Sequence, residues 1–451
     1  MVTLPSSDSS QLQHSEPATD NQRFNWQTCW YPIAFVVDIP SDRPYRFSIF
    51  AEPFVLFRDS NNTWVCLVDR CPHRLAKLSD GRVIEGRLEC LYHGWQFGQK
   101  GECLHIPQLL EGATIPERAS VASFPVKEHQ GVIWVWADTE ISPDPELPPT
   151  VDNLEDEGVF KVDTATDLPF DYTFLVENFI DPAHVYISHD RTELGIRRED
   201  ARPLIMEVLS TSVAGMEGRY RRADKPQAPW TSLTFQAPMT VHYSFTNPAY
   251  GVIGGFALYA LPLDYGQSRV LVRRYGNIFK PSFKRTPRWL EHLRQNKLLE
   301  EDLPFIVEQE RFFRETNQPL KTAYFPLKTS DIFIIEYRRW LDRFGQDLPW
   351  YVGFATTKLP PADTIKPLPE KIPSRFERHT QHCQACFGAY QRFIQIKQAG
   401  QILAVITLAL AVALEGQFQT FFALSFVLSA ITVVVSDRLR TRLEKTYQHH
   451  P

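Results

Sequence analysis

The chain has 451 residues, room for two or three domains with separate cores, and its net charge of −5 gives no electrostatic footprint for nucleic acid. Seven cysteines are too few for a disulfide-stapled secreted fold. No GxGxxG fingerprint follows a strand-like run, so no flavin or nicotinamide module is visible, and any electrons would come from a separate donor.

Residues 1–24 carry Asp8, Glu16 and Asp20 with no apolar run. This is the composition of a disordered lead-in, unlike a signal peptide and a poor match to a transit peptide. Residues 25–140 read as short strands, such as Trp64-Val65-Cys66-Leu67-Val68, with turns at Ser79-Asp80-Gly81 and Gly98-Gln99-Lys100-Gly101. They predict a small β domain. Residues 141–158 are rich in proline and acid, a linker composition. Residues 159–357 form a second body with a helical stretch from Tyr172 to about Ser188. Strand-like runs follow at Leu233–Phe245, Gly255–Leu261 and Val270–Tyr275, then helical stretches at Trp289–Leu299 and Ile332–Arg343. Strands with helices clustered around them predict an α+β fold.

Residues 358–388 read as a second linker, which contains Cys383-Gln384-Ala385-Cys386. Within residues 389–436 two apolar runs, Ile402–Leu414 and Phe418–Val435, flank Glu415-Gly416-Gln417. A helix needs roughly 20 apolar residues to cross a bilayer core, so the pair predicts a transmembrane hairpin, with two buried core helices as the alternative. Arg392 and Lys397 precede it, and Arg438, Arg440 and Arg442 follow in a basic tail, residues 437–451. The positive-inside tendency then places the globular body on a cytoplasmic-type face.

The chemistry is concentrated in two short loops, Cys71-Pro72-His73 and Cys90-Leu91-Tyr92-His93, with sixteen residues, Arg74 to Glu89, between them. One thiolate and one imidazole per loop suit a Rieske [2Fe–2S] cluster, in which cysteines hold one iron and histidines the other. A structural zinc site is the competing reading, but zinc modules mostly pair Cys with Cys at short spacing. Further on comes Glu177-Asn178-Phe179-Ile180-Asp181-Pro182-Ala183-His184, with His189 five residues later. On an ideal helix those histidines stand about 140° apart. Sharing a metal requires a distorted or ending helix, for which Pro182 is a reason. Two imidazoles plus a carboxylate make the facial triad of non-haem Fe(II) oxygenases.

Together these motifs resemble the α subunit of Rieske non-haem iron oxygenases over about residues 25–350. Within that family the chain is similar to the branch that contains pheophorbide a oxygenase, protochlorophyllide-related oxygenases and the Rieske protein of the inner-envelope translocon. The carrying residues are Trp30-Tyr31-Pro32, Cys71-Pro72-His73-Arg74-Leu75-Ala76, Leu91-Tyr92-His93-Gly94-Trp95-Gln96-Phe97, Arg338-Arg339-Trp340-Leu341, Cys383-x-x-Cys386 and the apolar hairpin. The resemblance implies an N-terminal all-β Rieske domain, an antiparallel-sheet helix-grip catalytic domain and a membrane hairpin. It implies that Cys71 and Cys90 ligate one cluster iron, His73 and His93 the other, and His184 and His189 the mononuclear iron. The third ligand falls in the acidic run Glu300–Glu310, where Asp302 matches the family segment and Glu301 and Glu308 are the alternatives. Asp181 is implied to bridge His184 to His93 of a neighbouring subunit in a homotrimer.

The resemblance further implies a ferredoxin with its reductase as electron donor. The substrate would be a lipophilic ring compound such as pheophorbide a, reached from a thylakoid, plasma or plastid inner-envelope membrane. A membrane redox sensor is the alternative, and an oxygenase for another lipophilic ring compound a third reading. Phe170, Tyr172, Phe235 and Tyr243 are candidates for pocket wall or core. Cys383 and Cys386 have three readings: a redox-active dithiol, half of a metal site with His379 and His382, or unrelated thiols. The resemblance favours thioredoxin-type redox control. Cys29, Cys66 and Cys103 are expected to pack as small hydrophobes.

Overall fold

In a computed structural model the chain is described over residues 22–143, 150–192, 196–277, 286–316 and 318–447. Short β-rich runs broken by turn residues form eleven strands: β1 (Trp30–Phe35), β2 (Tyr45–Ile49), β3 (Glu52–Arg58), β4 (Trp64–Val68), β5 (Arg82–Ile84), β6 (Arg87–Glu89), β7 (Gln96–Phe97), β8 (Cys103–His105), β9 (Ser123–Phe124), β10 (Val126–His129) and β11 (Val132–Trp136). They pair antiparallel in three sheets, ordered β1-β11-β10, β2-β3-β4-β9 and β5-β6-β7-β8. The last of these sheets carries the second Cys/His loop between β6 and β7.

The two-residue turn between β2 and β3 fixes this domain to the next. Phe50 and Ala51 both sit at positive φ, 48° and 66°, which a hairpin turn of this length demands and non-glycine residues resist. Their backbone N–H groups donate to the carbonyls of Pro262 and Leu263, each at 2.9 Å, and the Phe50 ring packs against Tyr172 and Trp350. Contacts from the neighbouring domain therefore over-determine a turn that local propensity would not hold.

The second body begins with β12 (Phe160–Leu168), α1 (Tyr172–Ile180) and α2 (Val185–Ser188). A meander follows: β13 (Leu204–Ser212), β14 (Gly215–Arg222), β15 (Thr231–Gln236), β16 (Thr240–Asn247), β17 (Val252–Asp264) and β18 (Gln267–Gly276). With β12 it forms one seven-stranded antiparallel sheet, ordered β12-β18-β17-β16-β15-β14-β13. Three helices complete the body: α3 (Arg288–Thr316), α4 (Leu320–Ala323) and α5 (Ile332–Phe344). The main apolar core lies between the sheet, α1 and α5, and joins residues of the first domain such as Tyr31, Phe47 and Ile133.

Buried ion pairs pin the helices. Arg338 on α5 donates to Glu177 on α1 at 2.6 Å and to the Val352 carbonyl at 2.5 Å, while Tyr324 donates to the other Glu177 oxygen at 3.1 Å. Leaving either charge alone in that interior would cost about 3–5 kcal/mol. Helix α3 is unusual in burying a polar face that includes His292, Asn296, Glu300, Glu301 and Asp302. An apolar-stripe rule would not dock it. It docks because its buried carboxylates are paired: Glu300 with Arg375 and Arg378, Glu301 with His189 and Thr192, and Glu310 with Arg314.

A π-helical turn (Phe376–Thr380) leads into α6 (Gln384–Ala413), and α7 (Gln417–Glu444) returns beside it. With 30 and 28 residues, the two span about 45 and 42 Å at 1.5 Å per residue, against a bilayer core of about 30 Å. Both are long and apolar enough to cross a membrane. A Cβ built on Gly400 would stand 3.0 Å from the Val433 side chain, so glycine lets the two helices approach closely. Lys397 on α6 pairs with Asp437 on α7 at 2.8 Å near the basal end.

Candidate metal centres and substrate pocket

The two Cys/His loops share one backbone design. Cys71 N–H donates to the Ala76 carbonyl and Leu75 N–H returns to Cys71. In the second loop Cys90 N–H donates to Trp95 and Gly94 N–H returns to Cys90, all at 2.8–2.9 Å. The turn closes four residues after each cysteine on a positive φ, 58° at Leu75 and 74° at Gly94. Equal loops therefore present one buried sulfur each, from Cys71 and Cys90, and one imidazole each. The His73 and His93 rings lie 4.4 Å apart, and His73 stacks on Trp95 at 4.7 Å. His73 Nδ1 is buried with no hydrogen-bond partner in the protein, as expected of a nitrogen reserved for a metal. Burial and the adjacent Cys90 sulfur push the Cys71 thiol up to about 11 in the metal-free protein. Leu75, Leu91 and Tyr92 stand exposed around the histidines as an apolar tip.

The expected helical stretch from Tyr172 to Ser188 is two helices with a break. Asp171 caps α1 by accepting from Thr173 N–H at 2.9 Å, and the helix ends at Ile180, before Pro182, which has no N–H to continue it. Asp181 then accepts from Ala183 N–H at 2.7 Å, and α2 makes a single turn with His184 before it and His189 after it. The break brings two histidines onto one point.

That point faces α3. His184 Nε2 lies 3.6 Å and His189 Nε2 3.3 Å from one oxygen of Asp302. The three ligand atoms fall within 4.8 Å of one another. The opposite ring nitrogens are held by separate carboxylates: His184 Nδ1 by Asp181 at 3.2 Å and His189 Nδ1 by Glu301 at 3.0 Å. Each carboxylate fixes a tautomer and leaves Nε2 aimed at the shared point. Thr192 donates to the second Glu301 oxygen. Burial lowers both imidazoles, but the carboxylates outweigh it, so His184 is raised to about 10 and His189 to about 9 without a metal. Burial pushes Asp302 up, and the two histidines more than reverse this, holding it well below the usual carboxylate range.

The structure therefore brings together Asp181, His184, His189 and Asp302. It puts Glu301 behind His189 rather than beside Asp302, a role the spacing of the acidic run did not reveal. Glu308 is on the outer face of α3, paired with Arg311. The site lies at the wall of a cavity of about 450 Å³, in the range of small-molecule sites. Its lining is mostly apolar, including Phe179, Tyr243, Phe245, Phe256, Leu258 and Leu299, with Arg274 as a cationic member. Of the candidate wall residues, Tyr243 lines the cavity, with its hydroxyl donating to the Phe179 carbonyl at 2.6 Å. Phe170, Tyr172 and Phe235 are in the core instead. All seven cysteines are free, with Cys66 and Cys103 buried and Cys29 half-buried.

A Rieske [2Fe-2S] domain model matches residues 29–125, and a pheophorbide a oxygenase model matches residues 235–319. A cluster domain joined to a catalytic body with an open two-histidine, one-carboxylate site defines a Rieske non-haem iron oxygenase, whose cofactors are a [2Fe–2S] cluster and a mononuclear iron. Among similar proteins, the Arabidopsis thaliana protein TIC 55, chloroplastic, is 36% identical across 86% of this chain and 77% of its own length. The pheophorbide a oxygenase of Oryza sativa subsp. japonica is 30% identical across 92% of this chain and 83% of its own. The crystal structure of dicamba monooxygenase bound to dicamba shares the fold, with a TM-score of 0.57 at 22% identity over 70% of this chain and 96% of that one. The chain belongs to the pheophorbide a oxygenase-like branch of the Rieske oxygenases.

Proposed function

We propose that the chain is a membrane-bound oxygenase that uses O2 and ferredoxin-type electrons to oxygenate a lipophilic ring substrate, a chlorophyll-derived tetrapyrrole such as pheophorbide a. The observation that carries this reading is the convergence of His184, His189 and Asp302 on the wall of an apolar cavity. In this reading Cys71, Cys90, His73 and His93 hold the cluster, and the three converging residues hold the mononuclear iron. An iron held by these three residues would supply O2 activation.

The chain's own residues do the positioning. Asp181 and Glu301 accept from Nδ1 of His184 and His189, so Nε2 is the nitrogen each ring presents to the metal. Phe245, Phe256 and Leu258 give a water-poor wall for a flat apolar ring. Arg274 can pair with a carboxylate on that ring's periphery. Asp181 is partly exposed beside His184, and the cluster tip carries exposed Leu91 and Tyr92. This suits a homotrimer in which Asp181 also accepts from His93 of a neighbouring subunit, giving electrons a hydrogen-bonded route. The apolar hairpin would hold the body on the cytoplasmic or stromal face, so that pigment dissolved in a thylakoid, plasma or inner-envelope membrane reaches the cavity without crossing bulk water.

A second reading is a redox sensor or partner protein, since the protochlorophyllide-dependent translocon component 52 of Arabidopsis thaliana is 29% identical across 83% of this chain. A third is oxygenation of another ring compound, since a flavonoid 8-hydroxylase of Ocimum basilicum is 26% identical. Oxygen uptake by the iron- and sulfide-reconstituted protein with reduced ferredoxin separates them. Uptake that depends on pheophorbide a, with a mass-shifted product lost in Asp181→Ala, is the expected result. A normal cluster signal with no turnover of any ring substrate would sink the oxygenase reading.

A further inference from the structure

A third group of metal-type side chains lies away from both iron sites and has no part in the oxygenase reading. It consists of His292 on α3, His379 in the π-helical turn, and Cys383 and Cys386 at the start of α6. All four are at most 4% exposed, and their ligand atoms lie within 4.8 Å of one another. His292 Nδ1 is 3.2 Å from His379 Nε2, 3.3 Å from Cys383 Sγ and 3.5 Å from Cys386 Sγ. His379 Nε2 is 3.2 Å from Cys386 Sγ.

Hydrogen bonding alone does not account for this packing. An imidazole nitrogen has one proton or one in-plane lone pair, so His292 Nδ1 can serve only one of its three neighbours at a time. A tetrahedral zinc, with Zn–S about 2.3 Å and Zn–N about 2.0–2.1 Å, has edges of roughly 3.3–3.8 Å between its ligand atoms. The observed separations are close to those edges. His379 Nδ1 meets the Ala165 carbonyl at 2.6 Å, and a carbonyl can only accept. The ring proton is therefore on Nδ1, and the Nε2 lone pair points into the group, the arrangement that orients metal-binding histidines. Two thiolates would balance a divalent cation, so the loaded site is neutral and suited to burial.

We propose that His292, His379, Cys383 and Cys386 form a closed tetrahedral zinc site that fastens the membrane hairpin to the catalytic domain. Four protein ligands leave no open position, and none of the four lines the substrate cavity. The site stands where the parts of the molecule meet. Ala165 belongs to β12, Gln384 donates to the Ile39 carbonyl of the cluster domain at 3.0 Å, and Thr380 donates to the Leu443 carbonyl at the end of α7 at 2.5 Å. Such a junction fixes how the cavity sits relative to the bilayer. Burial also keeps the two thiols from a protein disulfide partner, unlike the exposed thiolate of a redox-active pair.

The test uses the full chain in detergent, expressed with iron and zinc both supplied, with elemental analysis and zinc-edge X-ray absorption. The expected result is about one zinc per chain with two sulfur and two nitrogen neighbours. The double variant Cys383→Ser/Cys386→Ser loses that zinc at least about tenfold while Cys29→Ser keeps it, with the Rieske visible spectrum reporting folding in each. If the double variant does not fold, the wild-type absorption spectrum decides alone. Less than about a tenth of a zinc per chain, or zinc with only oxygen and nitrogen neighbours, overturns the site. So does a Cys383–Cys386 disulfide in a non-reducing peptide map, which would restore the redox-dithiol reading. Zinc content is read without turnover, so it stands or falls apart from the choice of substrate.

Discussion

Helix α3 carries two metal-type groups ten residues apart, Asp302 at one and His292 at the other, and the two groups differ in almost every respect. Around Asp302 the donors are two imidazoles and a carboxylate, all facing a cavity. Around His292 they are two imidazoles and two thiols, all sealed. Three hard and borderline ligands with space beside them suit an iron that must take up a further ligand; four with no space suit a zinc that takes up none. Donor identity and access, not the helix or its sequence neighbourhood, separate chemistry from construction here.

Disabling the cavity group has the largest expected effect. Asp302→Ala or His184→Ala should lower turnover by at least about a thousandfold while the Rieske EPR signal persists, because an interaction needed in every turnover is lost. A matching loss of the cluster signal would mean the two iron sites are not separable. Next in size is the packing beneath the site. Arg338→Met leaves Glu177 buried without its cation and should lower unfolding stability by about 3–5 kcal/mol, measured by denaturant titration.

Smaller effects sharpen the distinction. Glu301→Gln removes the carboxylate behind His189 and should weaken iron retention about 10–100-fold without touching zinc content. Metal loading of the cavity group should also depend on pH. With His184 raised to about 10 and His189 to about 9, both imidazoles are protonated at neutral pH, and a metal must displace those protons. Cobalt affinity should therefore rise with pH by about tenfold per unit for each proton released, read by titration at two pH values below 9. A flat profile would mean the histidines are already neutral. Smallest is Arg274→Leu, expected to raise KM about tenfold for a carboxylate-bearing pigment and to leave its methyl ester unaffected.

What the sequence revealed follows distance along the chain. The Cys/His loops were legible because all their ligands and closing turns are local, and the break at Pro182 was foreseeable from a missing N–H. Asp302 could be selected only by resemblance, since five acids crowd Glu300–Glu310 and helix geometry alone does not say which one meets His184. The role of Glu301 needs the fold, because it is set by His189, 112 residues away. His292 was missed altogether. It is a lone histidine on a polar helix, 91 residues from Cys383, and no spacing rule links them. The nearer histidine, His382, stands beside His379 in only one of the three readings the sequence leaves open for Cys383 and Cys386. It is exposed, and its ring bonds the Glu377 carbonyl. The polar buried face of α3 was likewise invisible to hydrophobic periodicity.

The most direct measurement is a single turnover with labelled oxygen. The protein is reduced at both iron sites, freed of reductant, mixed with pheophorbide a and exposed to 18O2, and the product is analysed by mass spectrometry. Labelled oxygen is expected in the pigment in wild type and none in Asp302→Ala. Re-oxidation of the cluster with unlabelled pigment and free peroxide would contradict the oxygenase reading.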